Sequence, residues 1–241
     1  MAKYRSRIYG RYVEAATAQL APATLDGLAP RRATLTRLIA DHFPPQKESA
    51  ILEIGCGHGA LLYFAREAGY RNLQGVDGSP SQVDAARRLG IHEVRSGELL
   101  PTLYGMPAAS QDAVIAYDVI EHLTKDELID VADEVLRVLK PGGRWIVHAP
   151  NAASPFCGVI AYGDLTHEQA FTPESLTQVF LSSGFRSATF HEDPPAAHGP
   201  ASTARALLWP LVRFAYRAAL MIETGADHRI FTTNLIAVAT K

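Results

Sequence analysis

The chain has 241 residues, 47% of them hydrophobic and 20% charged, a composition that fills the core of one large globular domain. Its 23 basic and 25 acidic side chains leave a formal charge of -2, which excludes a strongly basic nucleic-acid footprint, so no nucleic-acid partner is expected. Two cysteines are too few for a disulfide framework, and no apolar run has the length of a signal-peptide core or a membrane span, so a cytoplasmic location is expected.

Residues 1–27 read as a lead-in, basic at Lys3, Arg5, Arg7 and Arg11, and then rich in Ala and Pro. Leu35, Leu38, Ile39 and Phe43 share a helical face, which predicts a helix from about Pro30 to His42 that Pro44-Pro45 stops. The chain then alternates. A strand at 50–55 leads through Gly55, Gly57 and Gly59 into a helix at 60–68, closed by Gly69. A second strand, Leu73 to Asp77, precedes a helix at 80–89, with Ser79 as N-cap and Pro80 at its first position. A strand at 91–95 and a loop follow, then a buried strand from Asp112 to Tyr117. A helix at 126–139 passes through Pro141-Gly142-Gly143 into a strand, Arg144–Ala149. Thr172 and Pro173 open a helix that runs to about Ser183 and ends at Gly184. A sixth strand is expected from about Phe185 to His191 and a last one over Phe231–Ala239.

Strands alternating with helices predict a doubly wound, mostly parallel sheet, whose ligands lie beyond the carboxyl ends of its strands. The short motifs all fall at those ends. The three glycines between a buried strand and a helix N-terminus suit a nucleotide-like cofactor, because glycine accepts positive φ and the helix end carries partial positive charge. Taken alone, the loop also satisfies the dinucleotide pattern G-x-G-x-x-A through Gly55, Gly57 and Ala60.

The wider set of motifs separates the two cofactors. Glu53-x-Gly55-x-Gly57-x-Gly59, Asp77-Gly78 after the second strand, Glu98 after the third, Tyr117-Asp118-Val119-Ile120-Glu121-His122 after the fourth and Leu139-Lys140-Pro141-Gly142-Gly143 before the fifth stand in order. Over residues 30–190 this resembles a class I S-adenosylmethionine-dependent methyltransferase, similar to the ubiquinone-biosynthesis type and to small-molecule and glycan methyltransferases. The resemblance implies a Rossmann-like seven-stranded α/β sheet with an antiparallel last strand and helices on both faces. It implies S-adenosylmethionine as cofactor, with Gly55, Gly57 and Gly59 at its methionine portion and Asp77 with Gly78 at its ribose. Glu98 and Tyr117 would flank the adenine or the sulfonium, and Arg32 would meet the cofactor carboxylate. Glu53 is expected either to orient the loop through backbone amides or to touch the ligand. Cys56 reads as an inert small residue.

The acceptor is expected to be a small molecule or a glycan, with O-methylation of a sugar hydroxyl as the first reading. A quinone-type or other small-molecule O- or N-methyltransferase, and a cofactor-binding protein without turnover, are the alternatives. A hydroxyl acceptor has to lose a proton, so a base is needed. His167, in the long connection from Asn151 to Phe171, is the expected base; His122 is the second candidate, with a structural role pinning its loop as the rival reading. Asp164, His167 and Glu168 lack the spacing of a preformed helical metal site, and no metal is expected.

The domain expectation is a lead-in and covering helix at 1–45, then a methyltransferase domain at 46–241 with a helical insertion at about 192–230. A helix from Ser202 to Ile222, kinked at Pro210, carries Leu207, Leu208, Trp209, Leu211 and Phe214 with Arg205, Arg213 and Arg217. It reads as packed on the domain or in a homodimer interface, with peripheral membrane contact through 202–222 as the sharper alternative.

Overall fold

A computed structural model describes residues 21–197 and 199–241, together with Ile8. The basic positions expected at Lys3, Arg5, Arg7 and Arg11 lie outside the described residues. Seven strands, β1 (Ala50–Ile54), β2 (Asn72–Asp77), β3 (Val94–Ser96), β4 (Gln111–Tyr117), β5 (Leu139–Pro150), β6 (Ser187–Glu192) and β7 (Asn234–Thr240), form one sheet in the order β3-β2-β1-β4-β5-β7-β6. β1 to β5 pair in parallel, while β7 runs antiparallel to both β5 and β6. The strand order reverses between β1 and β4, which places a crevice at their carboxyl ends.

Side-chain alternation along the strands splits the core into two layers. Leu52, Ile54, Val114, Ala116, Trp145 and Val147 face one apolar cluster, which takes in the helices α5 (Lys125–Val138) and α7 (Pro173–Ser183). Ile51, Ala113, Ile115 and Ile146 face the other, with α1 (Ala29–His42), α2 (Ala60–Glu67) and α3 (Pro80–Arg88). α1 therefore belongs to the same core as the sheet: its Leu35, Leu38 and Ile39 are buried there, each worth roughly 1.5–3 kcal/mol of apolar transfer.

Helix ends follow the local chemistry, with some departures from the sequence reading. Thr172 and Ser175 form a capping box at α7, and Gly184 ends it in the left-handed region at φ 101°. Thr124 and Glu127 do the same at α5, a signal the sequence reading passed over. Ser79 stands at the N-cap of α3, but its side chain makes no cap bond; Asp77 Oδ1 accepts the Ser79 amide instead, at 2.8 Å. The third strand sits at Val94–Ser96 rather than 91–95, because Ile91 closes the end of α3 through its amide to the Ala86 carbonyl. The stretch after it contains a short helix, α4 (Leu99–Tyr104), which accommodates Pro101 within its first turn. The last strand begins at Asn234, since the Phe231 amide is spent on Glu192 Oε1.

After β5, α6 (Cys157–Ala161) lies in the long connection, and α8 (Pro200–Thr224) fills the β6–β7 insertion. α8 runs past Pro210 without a break in its assignment. It is not packed on the domain by its apolar face: among its residues only Ser202 is buried, while Leu207, Leu211 and Phe214 are 76%, 68% and 69% exposed. No helix among the described residues is long and apolar enough to cross a membrane.

Candidate active site

The loop between β1 and α2 is built for close approach. Gly55, Gly57 and Gly59 all have positive φ, at 66°, 55° and 78°. The reasons for glycine differ along the loop. A Cβ on Gly55 would fall 2.5 Å from Val119 Cγ2, so packing against the turn after β4 requires its absence. A Cβ on Gly57 would meet only Gln82 Oε1, at 4.0 Å, so that position opens onto the crevice. Asp77, at the end of β2, holds the loop from the side. Its Oδ2 accepts the Gly57 amide at 2.7 Å while Oδ1 takes that of Ser79. Burial raises the Asp77 pKa, and these two amides oppose the shift.

Glu53 is buried on β1, and its Oε2 meets no hydrogen-bond partner among the described residues. The loop is therefore oriented by Asp77 and not by hydrogen bonds from Glu53. Burial raises the Glu53 pKa to about 8; Arg31 opposes that rise and Asp77 adds to it. Arg31 also lies over the Tyr117 ring, 5.5 Å from its centroid. Arg32 points elsewhere, over Phe64 at 5.0 Å, so of the two arginines it is Arg31 that faces this cluster. Glu98, the exposed N-cap of α4, stands beside Gly78, within 3.9 Å of where a Cβ would be.

Beyond β4 the chain makes a tight turn. Asp118 takes φ 55°, an uncommon value for a residue with a side chain. Its Oδ1 accepts from Nδ1 of the buried His148, which stacks on Tyr117 with ring centroids 4.1 Å apart. His148 Nε2 lies 3.5 Å from Asp193 Oδ2, an ion-pair distance but a long one for a hydrogen bond. Burial alone would lower the His148 pKa; Asp118 and Asp193 outweigh it and hold the imidazole protonated up to about 10. Asp193 pairs in turn with Arg37 of α1 at 2.7 Å. None of Asp118, His148 and Asp193 was singled out from the sequence.

The expected base sits in the same neighbourhood. The Glu121 carbonyl accepts the Glu168 and Gln169 amides, at 2.7 and 3.4 Å, which clips the long connection onto the turn after β4. This clip brings the His167 ring to 4.7 Å from that of His122, edge to face. Thr166 Oγ1 donates to Asp164 Oδ1 at 2.7 Å and lies 2.9 Å from His122 Nδ1. Glu121 itself is buried, with Oε2 lacking a hydrogen-bond partner among the described residues; burial first, then Asp118, raise its pKa.

Residues 51–143 match the family model described as a methyltransferase domain. Over 138 residues the chain is 31% identical to a probable S-adenosylmethionine-dependent methyltransferase of Mycolicibacterium smegmatis, covering 56% of this chain and 51% of that protein. It is 33% identical to human methyltransferase-like protein 27 over 128 residues, covering 50% of this chain and 48% of that one. The fold superposes on the whole of a SAM-dependent methyltransferase from Archaeoglobus fulgidus with a TM-score of 0.67 at 19% identity. Residues 51–143 form a methyltransferase domain, and the fold around them is shared with S-adenosylmethionine-dependent methyltransferases. The chain spans about half the length, or less, of the curated relatives it matches.

The residues of this methyltransferase domain fit its cofactor by two observations. Gly57 leaves an open cradle at a helix N-terminus, and Glu53 aims an unsatisfied carboxyl oxygen into a buried site where an ammonium group would complete it. A groove of about 680 Å³ lies elsewhere, between α1 and the β6–β7 edge; Arg37, His42, His191 and Arg213 are among its lining residues.

Proposed function

We propose that this chain transfers a methyl group from S-adenosylmethionine to an oxygen of a small molecule or glycan. The observation that carries the reading is the meeting of two sites at the switch point: the glycine cradle with Asp77 after β1 and β2, and the Glu121–His122–His167 cluster after β4 and β5.

Bound in the cradle, S-adenosylmethionine supplies a methyl group already activated by its positive sulfur. Glu53 would hold its ammonium, Arg31 its carboxylate, Asp77 its ribose and Glu98 its adenine. Tyr117, fixed between Arg31 and His148, would wall the sulfonium region and exclude water. The chain's remaining tasks are alignment of the acceptor and removal of its proton. We assign these to Glu121, His122 and His167 as a unit. That constellation favours a hydroxyl over an acceptor needing no proton removed.

The exposed apolar face of α8 supports a further part of the reading, contact with the headgroup region of a bilayer that presents a lipid-linked acceptor. Phe156, in the connection that carries His167, touches Tyr216 of α8 with ring centroids 6.1 Å apart, so the helix adjoins the acceptor side while its apolar face points outward. A cytoplasmic location accords with this reading.

Calorimetry with S-adenosylmethionine, followed by incubation of labelled cofactor with host extract and identification of the labelled product, tests the function. Cofactor binding and a labelled ether are expected. Tight binding of a nicotinamide or flavin cofactor, with none of the methyl donor, would overturn it.

A further inference from the structure

We propose that Glu121, His122 and His167 form a binding site for a divalent transition-metal cation of the Zn²⁺ or Mn²⁺ class, one that holds and acidifies the acceptor hydroxyl. The inference rests on the methyl-transfer reading above for its role, but not for its geometry.

Each of the three residues offers one ligand atom, and the three atoms lie within 4.8 Å of one another. Small side-chain rotations would bring them to the roughly 2.0–2.2 Å bonds of such an ion. Two imidazoles and one carboxylate suit zinc or a related ion and leave coordination positions open.

The hydrogen bonds around the cluster fix which ring nitrogens carry protons. The Thr166 hydroxyl donates its proton to Asp164 Oδ1, at 2.7 Å. Towards His122, Thr166 Oγ1 therefore accepts, and His122 Nδ1 is the donor. His167 Nδ1 lies 3.0 Å from the Ile160 carbonyl, which can only accept, so that nitrogen also carries a proton. With Nδ1 engaged by the Ile160 carbonyl, Nε2 is the nitrogen that His167 would present to the ion. One ring nitrogen donating to a carbonyl, or through a hydroxyl to a carboxylate, is the outer support that metal-bound histidines receive. The third member, Glu121, places a buried oxygen without a hydrogen-bond partner beside them. An ion would satisfy that oxygen.

The tautomers also bear on the base. With Nδ1 committed to Ile160, His167 serves as a ligand through Nε2, and the ion makes the acceptor hydroxyl easier to deprotonate. The proton then leaves to solvent past the exposed carboxylate of Asp118.

The test uses the full chain, stripped with chelator and titrated separately with Zn²⁺ and Mn²⁺ by calorimetry, with Mn²⁺ also followed by electron paramagnetic resonance. One ion per chain is expected. His167→Ala and the isosteric Glu121→Gln should each weaken binding by at least about tenfold, while His92→Ala, at an exposed histidine outside the cluster, leaves it unchanged. Retained thermal unfolding of each variant guards against misfolding. No ion bound at millimolar concentration, or equal affinity in wild type and His167→Ala, overturns the proposal. S-adenosylmethionine binding to the same stripped protein is measured in parallel. If the cofactor binds and the ions do not, only the metal site falls; if the ions bind and the cofactor does not, the methyl-transfer reading falls.

Discussion

His148 Nδ1 donates to Asp118 Oδ1 at 2.5 Å, and this contact ties the interior of β5 to the rim of the active site. The imidazole is closed off from solvent between two carboxylates, Asp118 and Asp193, on different elements.

That enclosure makes stability depend on pH in a definite direction. The folded-state pKa of His148 is raised from 6.5 to about 10, so its contribution is complete below pH 6.5 and is lost as pH climbs through about 10. Urea unfolding across that range should show stability falling for wild type. His148→Gln should flatten the slope and cost about 3 kcal/mol at neutral pH, since it leaves the partly buried Asp193 and the exposed Asp118 without the buried cation between them. An unchanged slope in the variant would remove His148 from the account.

Glu53 gives a second pH signature, read on the ligand. With its pKa raised to about 8, the side chain is largely protonated at pH 7 in the free protein. Engaging an ammonium requires its ionised form, so binding should release a proton. Calorimetry in buffers of different ionisation enthalpy should detect that release, with cofactor affinity tightening from pH 6.5 to 8. Glu53→Gln should bind more weakly and show no such dependence. Identical proton release in both proteins would exclude the assignment.

Two glycines of one loop should fail differently. Gly57→Ala adds a methyl to open space, so the protein should fold with a loss of about 1–2 kcal/mol for the left-handed backbone, while cofactor affinity falls by at least about tenfold. Gly55→Ala drives a Cβ into Val119 and should fail at the folding stage. Soluble yield, thermal unfolding and cofactor titration separate the two.

Thr166→Val keeps the volume and removes the hydroxyl between His122 and Asp164. Turnover should drop by about 10–100-fold with S-adenosylmethionine affinity unchanged, because the tautomer of His122 is no longer fixed. A loss of cofactor binding instead would show that the turn after β4 had collapsed.

The apolar face of α8 can be tested without touching the site. Replacing Leu207, Leu211 and Phe214 with Gln should abolish flotation with anionic vesicles and leave thermal stability nearly unchanged, since all three are exposed. Sedimentation of both proteins checks the other occupant. A wild-type dimer that the variant loses, with no flotation in either, would assign the face to a second copy.

Much of the scaffold was legible in the sequence because its signals are local. Apolar periodicity placed α1 and α5, and Thr172, Pro173 and Gly184 delimited α7. The glycine loop announced itself through spacing alone. What escaped depends on tertiary contact. His148 looks like one polar residue in an apolar strand until Asp118 and Asp193 arrive from 30 residues earlier and from the insertion beyond β6. Arg31 and Arg32 are adjacent, and only the packing of α1 decides which of them faces Glu53 and Tyr117. α8 read as buried because its composition is apolar, yet composition does not say which surface covers it.

Asp118 carries one more implication. A side chain held at φ 55° favours asparagine nearly as well as aspartate, since both are short and hydrogen-bond locally. Asp118→Asn therefore preserves the bend of the chain while deleting its negative charge. At this position backbone shape and electrostatics can be varied one at a time, which few residues beside a reacting centre permit.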